Sequence, residues 1–212
     1  MESPNGQIIN GKRTNKVQQP ALKELMDILP KAQGTIGPID VLDWGKMLTQ
    51  ALGEPVVLRS HESTGLPDDS ERPGPTIVAA ATLQALGDAL GLSLDQMVGR
   101  FRPNILLEGL APFDDDLLVG DTLRTGGSTF YMAKPCNRCV VPTRDPGTGE
   151  VYAGFKDRFI AARTAGAPLL AAHLFDHHYK LCVNTIPGQV SPGTVLAQGD
   201  TVIRTLGKGL LG

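Results

Sequence analysis

The stretch Lys134-Pro135-Cys136-Asn137-Arg138-Cys139-Val140-Val141-Pro142-Thr143-Arg144-Asp145-Pro146-Gly147-Thr148-Gly149-Glu150 decides how the chain is read. Two thiols sit three residues apart among Lys134, Arg138 and Arg144. A thiolate is a good nucleophile and a soft metal ligand, and neighbouring positive charge favours its formation. Val140-Val141 predicts that a strand continues past the cysteines, and Asp145-Pro-Gly-Thr-Gly predicts a hairpin turn. The reading is a strand that delivers a cysteine to a basic pocket and then turns back. A soft metal held by an anionic organic cofactor would need both features. A lone CxxC is also found as half a zinc site or as a pair of buried thiols, and both alternatives stay open at this point.

Composition narrows the class. A chain of 212 residues, 41% hydrophobic and 20% charged, is globular and long enough for one sizeable core. A net charge of -2 argues against general nucleic-acid binding, which needs a strongly basic face. With 25 glycines and 16 prolines the chain turns often, which predicts a fold of short strands. Three cysteines and no secretory leader fit free thiols in a reducing compartment. No apolar run approaches a membrane span, so a soluble, cytoplasmic protein without membrane or nucleic-acid partners is expected.

Outward from the cysteine stretch, the elements alternate. Asn10-Gly11 is a hairpin signal, and Lys12, Arg13 and Lys16 make a basic loop that is either a solvated tail or a lender of charge to an anion site. Helical spacing predicts helices over 20–33 and 43–52, the second stopped by Gly53. Val56 to Leu58 reads as a strand. The loop from His61 to Pro75 is long enough to be functional, with His61 in a surface or capping role. Thr82 is expected to cap a helix that Gly91 closes, and Ser93-Leu94 to start a brief turn. Ile105 to Leu107 is a predicted strand, and Arg100 and Arg102 flank Phe101 at its mouth, either as surface arginines or as guanidinium groups able to fork onto phosphate or carboxylate. Asp114-Asp115-Asp116 reads as a solvated turn. Leu117 to Asp121 and Ser128 to Lys134 read as a hairpin through Gly126-Gly127. Phe155 to Ala165 is a predicted helix, and its Arg163 either reaches back towards an anion site or stays in solvent, the latter favoured. Leu174 to Thr185 reads as a strand carrying Cys182 as a small core residue. His173, His177 and His178 cluster at its start, but adjacent histidines on a strand face opposite sides and do not readily share one metal. Two short strands close the chain.

Arg100-Phe-Arg-Pro-Asn-Ile and Cys136-Asn-Arg-Cys-Val-Val-Pro-Thr-Arg-Asp-Pro-Gly-Thr-Gly-Glu carry a family resemblance. Pro112-Phe-Asp-Asp-Asp-Leu-Leu-Val-Gly-Asp and Val195-Leu-Ala-Gln-Gly-Asp-Thr-Val support it. The chain resembles MOSC-domain proteins, relatives of the C-terminal part of molybdenum-cofactor sulfurases and of the mitochondrial amidoxime reducing enzymes. The resemblance implies a mainly β fold with a few helices (α+β), a MOSC-type β-barrel-like domain, over residues 51–206. Residues 1–50 would be the remnant of an N-terminal β-rich module plus connecting helices, since Gln7 to Lys16 looks like a stretch from inside that module. Either a minimal form or a lost start would account for it.

By the same resemblance the cofactor would be molybdenum bound to molybdopterin. Cys139 would be the metal ligand and the catalytic centre's protein thiolate, with Cys136 as the alternative ligand. Arg102, Asn104, Asn137 and Arg138 would bind the cofactor. No segment resembles the lysine-bearing part of the sulfurases' pyridoxal-phosphate module, so pyridoxal phosphate is not expected. The implied activity is reduction of an N-oxygenated or similar small substrate, with electrons from a donor protein. Sulfur or cofactor transfer, a non-catalytic carrier, or a zinc-stabilised domain using the CxxC pair are the alternatives.

Overall fold

The computed structural model describes residues 69, 71–190 and 194–207, with 46, 49, 50, 53, 55 and 57. The chain divides into two compact units. One comprises Met1–Glu62 with Cys139–Ala153, the other Ser63–Arg138 with Gly154–Gly212.

The second unit is built on a mixed six-stranded sheet, curled into a half-barrel, in the order β2-β1-β5-β4-β3-β6. The strands are β1 (Ile77–Ala79), β2 (Ile105–Leu107), β3 (Thr122–Thr125), β4 (Ser128–Asn137), β5 (Lys180–Val190) and β6 (Ile203–Thr205). The mainly β, α+β class expected from the sequence is the class found. Only β1 and β2 run parallel, and a parallel pair requires a crossover. Helices α1 (Ala80–Leu90) and α2 (Leu94–Phe101) supply it. The β3–β4 hairpin turns through Gly126 and Gly127, both at positive φ, as a tight two-residue connection demands. On β4, Phe130 and Met132 point into the core while Tyr131 faces out, the alternation of a strand covered on one face. They pack with Leu123, Ile77 and Val183.

Helix α1 starts two residues before the predicted cap. Thr82 lies inside it, fully buried, where its hydroxyl donates to the Asp115 carboxylate and accepts the Phe113 N–H at 2.7 Å. Gly91 ends the helix in the left-handed conformation, as expected. The brief turn expected after Ser93 is the full helix α2. Ser93 and Gln96 form a reciprocal capping box, so the S-x-x-Q spacing was the overlooked start signal.

Helix α3 (Phe155–Gly166) matches its prediction and packs Phe155 and Phe159 against the Phe101 ring at tilted angles. Arg163 departs from its expectation. It is 1% exposed, not solvated, and its Nη2 bridges both oxygens of Asp116 at 2.6 and 2.7 Å. The rings of Phe113 and Phe175 lie 5.2 and 4.9 Å from its guanidinium carbon. The aspartate trio is likewise not a solvated turn. It forms a 3-10 turn, Asp114–Leu118, that buries Asp115 and Asp116 to receive Thr82 and Arg163. Strand β5 begins at Lys180 rather than Leu174, after a 3-10 turn at Leu169–Leu174. His177 and His178 therefore precede the strand instead of alternating along it.

In the other unit, Lys46, Thr49 and Gln50 are helical. Gly53, at φ 69, returns its N–H to the Thr49 carbonyl at 3.0 Å, the predicted stop. Val140-Val141 does not continue a strand. Val141–Thr143 is a 3-10 turn, with Pro142 lacking the N–H a ladder would need. The turn after it is as predicted. The Asp145 carboxylate accepts the N–H groups of Gly147 and Thr148, and Arg144 pairs with Val151 across it. The basic loop of Lys12, Arg13 and Lys16, the 20–33 helix and His61 lie outside the described residues. Among the described residues no helix is long and apolar enough to cross a membrane.

Candidate functional site

The second unit opens a cleft of about 550 Å³ where the end of β4, the middle of β5 and the α2–β2 connection meet the segment leading into β1. Cys136 comes from the end of β4 and Arg138 from the residue just past it, Asn184 from β5, and Arg102 and Asn104 from the α2–β2 connection. Asp69, Arg72 and Thr76 come from the leading segment. The cleft therefore gathers four of the residues marked in the sequence: Arg102, Asn104, Arg138 and Cys136. Asn137 is exposed at the last position of β4 and is not a wall residue. Cys139 is a free, half-buried thiol that opens the Cys139–Ala153 stretch of the other unit.

Each wall residue has a local reason for its place. Pro103 disfavours helical geometry before it, so α2 stops at Phe101 and Arg102 takes up the left-handed conformation at φ 48 and ψ 53. That conformation suits glycine, and a side chain there costs about 1 kcal/mol. The Arg102 guanidinium is exposed and has no hydrogen-bond or ion-pair partner among the described residues. Asn104 is a clamp. Its Oδ1 accepts the Thr76 N–H at 2.9 Å and the Thr76 hydroxyl at 3.1 Å, while its own N–H reaches the Thr76 carbonyl at 3.0 Å. The entry to β1 is thereby fixed to the entry to β2, and the Asn104 amide NH₂ has no hydrogen-bond partner among the described residues.

Arg138 is half committed. Its Nε and Nη2 donate to the Leu181 carbonyl at 2.9 and 2.6 Å, and its Nη1 lies 3.4 Å from the Phe101 carbonyl. Its guanidinium carbon is 5.6 Å from the Phe101 ring centre. The side chain thus ties the end of α2 to β5 and turns only the rest of its fork to the cleft. A bulge prepares this tie. Between the pairs Pro135–Val183 and Asn137–Lys180, β5 carries one residue more than β4, and Cys182 within it sits at φ 64. Pro135, which has no N–H to give a ladder, falls at the same irregularity. Cys182 itself is buried, and burial pushes its thiol up to about 12. It is a core residue, as expected, and not a nucleophile.

Among the described residues three arginines and one aspartate face the cleft, so this part of its wall is cationic. Asp69 ion-pairs with Lys134 at 3.1 Å, accepts from Asn184 Nδ2 at 3.1 Å, and lies 3.7 Å from Arg72. The hydrogen bond from Lys134 is the main cause that holds its carboxyl below the usual carboxylate range. A cationic concavity of this size, with a thiol in its wall, suits an anionic organic ligand.

The sequence matches the MOSC domain over residues 75–202. The chain belongs to the MOSC-domain family. The match covers more than half of the chain and takes in the clamp, both arginines of the expected cofactor set and the CxxC pair. It makes the chain a molybdenum-cofactor-associated domain in general terms. No curated protein matches the sequence significantly. Within this MOSC domain the zinc alternative finds no ligand set, because no three His, Cys, Asp or Glu side chains converge among the described residues.

Asp69, Arg72 and Asn184 were not marked as site residues in the sequence. The one signal for Asp69 and Arg72 was the length of the 61–75 loop. Asn184 carries none, because its place depends on the register of β5 against β4.

Proposed function

We propose that this MOSC domain binds a molybdopterin-bound molybdenum and reduces N-oxygenated or similar small substrates with electrons from a partner protein. The cationic, thiol-bearing cleft in a chain of this family carries the proposal. The residues fit such a group chemically. Its phosphate is anionic, and the Arg102 guanidinium lines the cleft with no carboxylate partner among the described residues. Molybdenum is soft and takes one protein thiolate here: the thiol in the cleft wall is that of Cys136, while the resemblance assigns the role to Cys139 with Cys136 as the alternative.

The molybdenum cofactor, when bound, supplies the two-electron redox chemistry. The chain's own residues bind and orient. Arg102 offers a planar fork for a phosphate. Arg138 holds the end of α2, and with it the backbone next to Arg102, against β5. Asn104 keeps the cleft's floor in register and has an amide NH₂ to donate.

Protein made in a host that synthesises molybdenum cofactor should reduce an N-hydroxylated amidine with a reduced viologen as artificial donor. Cys139→Ser should abolish that reduction and Cys136→Ser should keep most of it. A Cys139→Ser protein with parental activity would contradict the ligand assignment, and loaded protein inactive on every N-oxygenated substrate would contradict the reaction.

A further inference from the structure

Asn184 lines the cleft from the middle of β5, opposite Lys134 of β4, and is only 7% exposed. Its Nδ2 donates to the Asp69 carboxylate at 3.1 Å. A carboxylate only accepts, so this contact fixes which end of the amide is which. The other end, Oδ1, has no hydrogen-bond partner among the described residues. A buried polar side chain at a cleft wall is thus left with an acceptor to satisfy. The next residue ties β5 to the cleft's floor. The Gly74 N–H reaches the Thr185 carbonyl at 3.0 Å, and the Thr185 hydroxyl donates to the Pro75 carbonyl at 2.7 Å.

The other side-chain oxygens of the described wall are already engaged. Asn104 Oδ1 takes the Thr76 N–H and hydroxyl, the Thr76 hydroxyl oxygen lies 3.4 Å from the Asn104 N–H, and Asp69 takes Lys134 as well as Asn184. At the opposite end the groups without partners, the Arg102 guanidinium and the Asn104 NH₂, are donors only. The described wall therefore presents donors where the chain enters β2 and a neutral acceptor on β5. With β1 between them in the sheet, β2 and β5 stand about 10 Å apart. A ligand that satisfies both ends carries an anionic group and, across its body, an N–H donor.

We propose that Asn184 Oδ1 accepts an N–H from the aminopyrimidinone edge of the cofactor's pterin, with Arg102 taking the phosphate. That edge is flat and carries an exocyclic NH₂ and a ring N–H, the donors an amide oxygen takes. Asn184 is then a specificity-determining residue. A ring without that edge leaves the oxygen desolvated and unpaired, and a site built for a hydrogen bond rejects strongly an analogue that lacks it. This rests on the cleft being the cofactor site of the reading above, and it adds which way the ring lies.

The test is calorimetric titration of full-length protein made without molybdenum cofactor, with two probes. Pterin carboxylate joins the aminopyrimidinone edge to an anion. Quinoxaline carboxylate has the same two-ring shape and anion but no N–H. Asn184→Leu should weaken pterin carboxylate binding about ten-fold and change quinoxaline carboxylate binding by less than about two-fold. Equal losses for the two probes, no loss for pterin carboxylate, or a parent that binds neither would overturn the assignment. So would a loss confined to N-hydroxybenzamidine, an N–H donor of the substrate type without a pterin ring. Should Asn184→Leu not fold, the parent decides. Pterin carboxylate bound about ten-fold more tightly than quinoxaline carboxylate supports the acceptor, and equal affinity overturns it. The two readings fail separately. Asn184-dependent pterin binding in a protein whose loaded form reduces nothing keeps the acceptor and removes the reaction. Loaded, active protein whose Asn184→Leu form binds pterin carboxylate like the parent does the reverse.

Discussion

Arg163 and Arg102 both stand at the end of a helix in the same unit, and their surroundings are opposite. Arg163, in the last turn of α3, lies between two phenylalanine rings with its charge on Asp116. Arg102, one residue past α2, is exposed in a left-handed conformation and has no partner among the described residues. Charge that is buried must be matched on the spot, since leaving it unmatched costs several kcal/mol. Charge that is held out on a strained backbone, unmatched, is available to a ligand. The first neighbourhood holds the fold together and the second faces the cleft.

The largest effect should come from opening the closed neighbourhood. Arg163→Met leaves Asp116 buried and uncompensated and should lower stability by about 3–5 kcal/mol in urea unfolding. Adding Asp116→Leu should recover most of the loss. A loss below about 1 kcal/mol for Arg163→Met alone would mean the pair does not hold α3 to the sheet.

Asp115 sharpens the same contrast through pH. Burial is the main cause that raises its carboxyl from 3.8 to about 6, against the Thr82 hydrogen bond and the charge of Arg163, which lower it. The folded protein thus binds this proton more tightly than the unfolded chain. Its contribution is fully present below pH 3.8 and is lost as the pH rises through about 6. Asp115→Asn keeps an acceptor for Thr82 and has no proton to lose. The stability of the variant relative to the parent should therefore rise by roughly 2 kcal/mol between pH 4 and pH 7. A constant difference across that range would show that Asp115 does not titrate there.

Smaller effects are expected at Cys182 and at Arg102. Cys182→Ser puts a hydroxyl into an apolar site and should cost about 1–2 kcal/mol in thermal unfolding, with cofactor binding unchanged. Arg102→Gly should gain up to about 1 kcal/mol of stability by releasing the left-handed backbone, and should bind pyrophosphate several-fold more weakly. Stability and binding moving in opposite directions is what distinguishes an arginine kept for a ligand from one kept for packing. A destabilised Arg102→Gly would contradict that distinction.

The open neighbourhood was easier to read in the sequence than the closed one. Arg102 stands beside an aromatic before an apolar run, and Cys136 and Arg138 lie in a dense motif, so local pattern marked them; Asn104 was marked by the family resemblance alone. Arg163, Asp115 and Asp116 were misread because charged residues are usually solvated, and burial of such a group depends on a partner 47 positions away in the chain. Val140-Val141 has the side chains of a strand, yet Pro142 overrides them by removing a ladder donor. Helix α2 was read as a brief turn because the Ser93–Gln96 capping-box spacing was overlooked and Pro103 follows so soon. The bulge at Cys182 could not be read at all, since it is a mismatch in residue count between two strands and belongs to neither alone.

The central claim is that the open, cationic cleft belongs to a molybdenum-cofactor protein. Metal and pterin analysis of the purified protein, made in a host that synthesises the cofactor, tests it most directly. About one molybdenum and one pterin per chain, both reduced in Arg102→Gly and both retained in Cys182→Ser, is the predicted result. One zinc per chain with no pterin would contradict it.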